Sequence, residues 1–430
     1  MKRDVVLAHA FIAILGLYAT AILAREFTNV VSPGGGVDLH AYWYAAHFVR
    51  QGVEPYQAYF DGREPAVPVV YLDGHITSTG PVAQPGLTTD PSNTASALFI
   101  MYPLGFFSWP VAKIIWMVFN LMLVLLIPWL ALPLCPVPLS RRLRAAFAVS
   151  FCIMIGTRVT IGNGQTSLLV LAALLLAYVS MLRSQATVSG IAYGIALSKY
   201  SLAAPLFILI VHRRQWRTLV MAISVQLAAI AMLSVMTNTA PISIVHSYIR
   251  VMQRHAEISG MTIFSLLPSH WLFAVYPVAI ATATAIGIGL LVDIRRATRL
   301  HCANNELFAF SITALWLLLS IYHNIYDSVI IIVPVLYIIW RLSTEPLRYM
   351  PISRAGVVAL LVLILAILSI PGAFMNEIIH NWSQIADQAY TVSCLLLLIL
   401  TVVVWIVSRG RSNRTYRHNT DRIPLVMALE

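Results

Sequence analysis

The chain has 430 residues, of which 59% are hydrophobic and 10% charged, with a mean hydropathy of +0.80. Such a composition lacks the polar surface a water-soluble globule needs, and it defines a polytopic membrane protein. The formal net charge of +11 does not point to nucleic acid, because the cations flank apolar spans and build no basic aromatic face.

The four cysteines, Cys135, Cys152, Cys302 and Cys394, are scattered with no C-x-x-C spacing, which supports neither a disulfide framework nor a metal centre. In chain order, the first apolar span, Val5 to Ala24, follows Lys2 and Arg3. It is long for a signal-peptide core and no small-x-small site precedes Arg25, so it reads as a retained helix. The stretch 25–108 is rich in Pro and Gly and carries Glu26, Asp38, Glu54, Asp61, Glu64, Asp73 and Asp90. Within it, Gly34-Gly35-Gly36 precedes a short helix predicted from Asp38 to Val49, and Gly52 supplies the stop. Helical spacing places Asp38, Tyr42 and Ala45 on one face, with His40, Trp43 or Tyr44, and His47 on another. Asp38 has two readings. It is an N-cap for that helix, or a carboxylate set at the bilayer surface to act on a lipid-anchored substrate.

Further spans are expected at 110–134, 144–161, 165–182, 216–236, 271–292, 305–322, 326–341, 355–374 and 389–408. Between Arg183 and Arg213 two short apolar legs, 187–198 and 201–212, are interrupted by Ser198-Lys199-Tyr200-Ser201 and followed by Pro205. A single bent helix would carry the His212-to-Arg217 cluster to the side opposite Arg183, whereas two legs or a re-entrant hairpin return it. The positive-inside rule favours the return, since Arg141, Arg142, Arg144, Arg183, Arg213, Arg214, Arg217, Arg295, Arg296, Arg299 and Arg409 then share the cytoplasmic face. The expectation is an all-α polytopic bundle, 1–430 forming one integral membrane domain. It has about twelve membrane segments, two of them short or re-entrant, with both termini cytoplasmic. Residues 25–108 and 237–270 become outer-face loops with short interfacial helices, and 409–430 a cytoplasmic basic tail held near anionic lipid.

Lys199 stands out because the chain has only three lysines and this one interrupts an apolar segment. An intramembrane cation needs a partner; a lipid phosphate is one, and snorkelling to the interface is the alternative. Arg158 has the same two readings. His323 falls at the outer end of the 305–322 span, with Asp327 one turn on to orient its imidazole; a plain polar loop is the alternative. Asn163 and Gln165 fit a helix cap, or polar contacts to a substrate. In the second loop Arg250, Arg254, His255 and Glu257 form a polar patch before Met261 to Leu266. No metal-ligand spacing is visible around Asp38, His40 and His47, so neither metal nor cofactor is expected.

Four segments together carry a resemblance. Asp38-Leu39-His40-Ala41-Tyr42-Trp43-Tyr44-Ala45-Ala46 with Gly52-Val53-Glu54-Pro55-Tyr56 is one; Gly162-Asn163-Gly164-Gln165 is the second; Gly190 to Pro205, with Gly194 and Lys199, is the third; His323-Asn324-Ile325-Tyr326-Asp327 is the fourth. In this order they resemble glycosyltransferase family 87, polyprenyl-phosphate-dependent enzymes of GT-C architecture that include mannosyl- and arabinofuranosyltransferases. The resemblance implies a bacterial plasma-membrane enzyme with its active site on the outer, periplasmic face. It would move a sugar, mannose by family weight, from a polyprenyl-phosphate donor to a glycolipid or glycan hydroxyl. Asp38 would be the general base of an inverting transfer, with Lys199, His323 and Arg158 on the donor phosphate and Tyr42, His40, Gln165, Asn163 and Asp327 on substrate. One base suffices because phosphate is already a good leaving group. The 60–95 insert matches nothing in that pattern. A secondary transporter or lipid flippase would also use a broken helix and a buried Lys, but should show internal repeats, and none is evident.

Overall fold

A computed structural model describes residues 2–32, 34–61, 69–70, 76–77, 91–255, 305–320, 324–344, 354–369 and 388–406. The expected span 271–292, the patch residue Glu257 with Met261 to Leu266, His323 and the tail 409–430 lie outside the described residues. Among the described residues the fold is helical, apart from a short antiparallel ribbon pairing β1 (Val69–Val70) with β2 (Ile76–Thr77) inside the 60–95 insert.

Five described helices are long and apolar enough to cross a membrane: His9–Val31, Trp109–Leu134, Trp216–Thr237, Ile325–Thr344 and Gln388–Ile406. Leu17, Leu125, Trp129 and Val235 are each at least 70% exposed on these helices. Apolar side chains turned outward in that number are accommodated by lipid tails. The chain is therefore a membrane protein.

The first helix, α1 (Lys2–Val31), is longer than the expected span and runs past Arg25, which brings Glu26 into the bundle. It leads to α2 (Val37–Arg50) and α3 (Pro55–Phe60), the latter capped by the Glu54 carboxylate, which accepts from the Tyr56 and Gln57 amides at 3.0 and 2.7 Å. Residues at the end of the first loop form α4 (Ala95–Met101) and a 3-10 turn, before α5 (Trp109–Ala131).

The expected span 144–161 is two helices, α6 (Arg141–Ile153) and α7 (Ile155–Asn163), bent by 48°. No proline causes the bend. Instead the Ile155 amide leaves its helix to bond the Leu368 carbonyl at 2.8 Å, and Gly156 packs so tightly on Ser328 that a Cβ would lie 2.2 Å from its hydroxyl.

The interrupted segment follows α8 (Ser167–Leu182) and consists of α9 (Ala186–Ala196), a 3-10 turn over Leu197–Lys199, α10 (Tyr200–Ala203) and α11 (Phe207–His212). Its apex and ends settle its shape. Lys199 reaches back to Ser167 at the start of α8, whereas Arg213 pairs with Glu306, which also accepts from Tyr178 near the end of α8. The segment is thus a hairpin of two short legs.

Next comes α12 (Trp216–Thr237), which runs parallel to α9: Gly190 faces Met221 and Gly194 faces Val225. A Cβ on Gly194 would lie 2.6 Å from the Val225 Cβ, the close approach that small residues four apart give membrane helices. Gly194→Val is expected to cost about 1–3 kcal/mol through overpacking, read as a lower midpoint of thermal unfolding in detergent. An unchanged midpoint would show that this contact adds nothing.

An amphipathic helix, α13 (Pro241–His255), lies beside α3, with the Tyr248 and Tyr56 rings 5.5 Å apart. The remaining described helices are α14 (Asn305–Ser320), a 3-10 turn Ile325–Ile331 running into α15 (Ile332–Thr344), α16 (Arg354–Ile367) and α17 (Gln388–Ile406). The Ile325–Thr344 unit is the bundle's centre: Val329, Ile330, Val333 and Tyr337 have no exposed surface.

Candidate active site

The site begins with two glycines in the left-handed region. Gly36, at φ 76°, is the residue that caps α2, and no side chain caps that helix. Asp38 is therefore not an N-cap, and its carboxylate is left for other partners. Gly164, at φ 71°, ends α7 and packs on α2 so closely that a Cβ would sit 2.5 Å from the Leu39 Cβ. The Gly36 amide bonds the Gly162 carbonyl at 3.1 Å, and the Trp116 indole donates to the Gly164 carbonyl at 2.8 Å. These contacts fix the Gly162-to-Gln165 turn against the first turn of α2.

Asp38 consequently meets the side chains of Gln165 and Asn163 from that turn, and feels the charges of Lys199 and Asp327. Burial raises its pKa above the ordinary carboxylate value; Gln165, Lys199 and Asn163 pull it partly back, and Asp327 adds to the rise. Its Oδ2 is buried without a hydrogen-bond partner, an oxygen a substrate hydroxyl would satisfy. The N-cap of α8 is Thr166, with no side-chain cap from Asn163 or Gln165; the Gln165 Oε1 only accepts from the Thr166 amide at 3.4 Å. Tyr42, one turn along α2 on the face of Asp38, places its hydroxyl 3.2 Å from Thr166 Oγ1.

Lys199 sits in a closed set of contacts. Its Nζ is 2.6 Å from Asp327 Oδ1 and donates to Ser167 Oγ at 2.9 Å, while the Ser167 hydroxyl donates to the same carboxylate oxygen at 2.8 Å. The Tyr326 ring lies 4.1 Å from the ammonium. Asp327 is thus brought to Lys199, on a 3-10 turn that sequence periodicity does not announce. Ser167 and Tyr326 are site residues that sequence reasoning missed; the polar Thr166-Ser167 pair opening an otherwise apolar span was the available signal.

Other expected residues are placed elsewhere. Arg158 is buried 3.6 Å from Glu26 and donates to the Ser369 carbonyl at 3.0 Å. His40 has no exposed surface and stacks among Trp43, Tyr44 and Trp109. Sequence reading also passed over Lys113, which is buried and donates to the Ser32 carbonyl at 2.7 Å, with its stem against Gly36. It supports the glycine turn. Among the described residues no cluster of His, Cys, Asp and Glu suits a metal ion.

His47, on the aromatic face of α2, packs edge-on to Trp43 with ring centroids 4.4 Å apart. Burial, then the charges of Arg50 and His40, lower its pKa to about 4. The unfolded chain therefore takes up this proton first as pH falls below about 6.5, so stability is lost between there and about 4. Thermal unfolding from pH 7.5 to 4.5 should show this loss, on the order of 2–3 kcal/mol at the acid end, and His47→Phe should flatten it. Parallel curves for the two proteins would remove His47 as the cause.

A helical membrane bundle with a half-buried carboxylate facing two amides and a lysine–aspartate pair suits group transfer at a lipid surface. Residues 93–365 match the family model of glycosyltransferase family 87, and the chain belongs to that family. It is accordingly a glycosyltransferase, acting on a sugar donor and an acceptor, and the transporter reading gives way. The matched segment includes Arg158, Asn163, Gln165, Lys199, His323 and Asp327 and begins after Asp38. No curated protein matches the chain.

Proposed function

We propose that this glycosyltransferase moves a sugar, mannose by preference, from a polyprenyl-phosphate donor to a lipid or glycan hydroxyl, inverting the anomeric carbon. The acceptor oxygen forms the new bond to that carbon, the carbon–phosphate oxygen bond breaks, the acceptor proton passes to Asp38, and polyprenyl phosphate leaves. The observation that carries this is the Asp38 carboxylate, raised in pKa by burial and with one buried oxygen open, the condition of a general base working near neutral pH. Gln165 and Asn163 orient it, Lys199 meets the donor phosphate, and Tyr42 lines the sugar pocket. Asp327 acts on this site through Lys199 and Ser167, and His323 is assigned with Lys199 to the donor phosphate; His40, buried among aromatic rings, and Arg158, paired with Glu26, support the bundle instead of meeting substrate. The site belongs to the outer face of a bacterial plasma membrane, in a bundle of about twelve segments with both termini cytoplasmic.

The test is mass spectrometry of glycolipids from cells lacking the protein. The expected result is loss of a product and accumulation of its precursor lighter by one sugar, which names sugar and acceptor together. An unchanged glycolipid and glycan profile would overturn the assignment.

A further inference from the structure

Two of the three directions open to the Lys199 ammonium are taken by Asp327 and Ser167, and the third faces the Tyr326 ring. Asp327 is 2% exposed and itself held by Ser167, so the ammonium cannot swing away without taking the countercharge from a buried carboxylate. The cation–π contact is the weakest of the three, and the Lys199 side chain keeps 16% of its surface exposed, which leaves the ammonium open to an anion. The charges facing Lys199 are then Asp327 in contact and Asp38 nearby, two carboxylates against one ammonium.

That balance bears on a difference between substrate and product, and the argument rests on the lipid-phosphate donor proposed above. The donor is a phosphodiester with one negative charge. The departing polyprenyl phosphate is a monoester whose second ionisation lies near pH 6, so it carries close to two. An unbalanced lysine would hold the product more tightly than the donor, because attraction scales with the product of the charges. We propose that Asp327 is a positioning and counterweight residue: with Ser167 it aims the Lys199 ammonium at the donor phosphate, and its charge keeps the more anionic product from being retained.

The experiment measures equilibrium binding of farnesyl phosphate, with farnesol as the uncharged control, to the full-length protein in detergent. Asp327→Asn, which keeps shape and removes charge, is expected to bind farnesyl phosphate about tenfold more tightly than wild type while turning over more slowly. A merely structural residue would weaken binding when replaced. Ser167→Ala leaves both charges in place and removes an aiming contact, so it should bind no more tightly than wild type; tightening like that of Asp327→Asn would overturn the charge argument. Weaker or unchanged binding by a folded Asp327→Asn protein overturns the inference. Should that variant not fold, the Asp38→Asn background, free of the second carboxylate's titration, is measured from pH 5.5 to 7.5. A counterweighted lysine gives a flat affinity as the probe gains its second charge, and tightening of tenfold or more, the mark of an unopposed cation, rejects the proposal. If farnesyl phosphate binds no better than farnesol to wild type, the lipid-phosphate reading itself falls, and this inference with it.

Discussion

Asp38→Asn is expected to lower sugar transfer by about two to four orders of magnitude, the usual contribution of a positioned general base, with the thermal midpoint unchanged or slightly raised. The amide keeps the shape of the carboxylate, so contacts with Gln165 and Asn163 can re-form. It also removes a charge that burial penalises. Wild-type activity should fall as pH drops through the Asp38 pKa, because the base must be ionised, and that fall should lie above the ordinary aspartate range. Initial rates with a polyprenyl-phosphate mannose, alongside thermal unfolding of the same preparations, separate the two effects. Full activity in the Asn variant would end the assignment of Asp38 as base.

What could be read in advance divides by the range of the interaction involved. The hairpin around Lys199 was legible because it rests on local facts: a lysine inside an apolar stretch, legs too short to cross, and arginines at both ends. The face of α2 that carries Asp38 and Tyr42 was likewise readable from helical spacing. The partners of those side chains were not. Asp327 meets Ser167 and Lys199, far away in sequence, through a 3-10 turn that has no periodic signature. Nearness to His323 along the chain suggested a different role. Glu26 reaches Arg158 only because α1 continues past Arg25 into the bundle. The bend between α6 and α7 is equally nonlocal, forced by the approach of Ser328 to Gly156 rather than by a proline. The glycines at 36 and 164 advertise turns, but that the two turns clasp each other through the Gly36 amide and Gly162 carbonyl is a property of the packed bundle.

Lys199→Met should be the most destabilising of these substitutions. It takes the countercharge from the Asp327 carboxylate, 2% exposed, and leaves the Ser167 hydroxyl as its contact within the triad. Removing one partner of a buried ion pair costs about 3–5 kcal/mol, whereas replacing both by apolar side chains of similar volume is often neutral or better. The double substitution Lys199→Met with Asp327→Leu is therefore expected to recover most of the thermal stability that the single variant loses. It should not recover transfer, because the ammonium proposed to meet the donor phosphate is gone. Stability and turnover measured on wild type, the single variant and the double variant form a cycle in which the two quantities part company. A double variant that regained both would make Lys199 a packing residue, and the charge on the donor would need another partner.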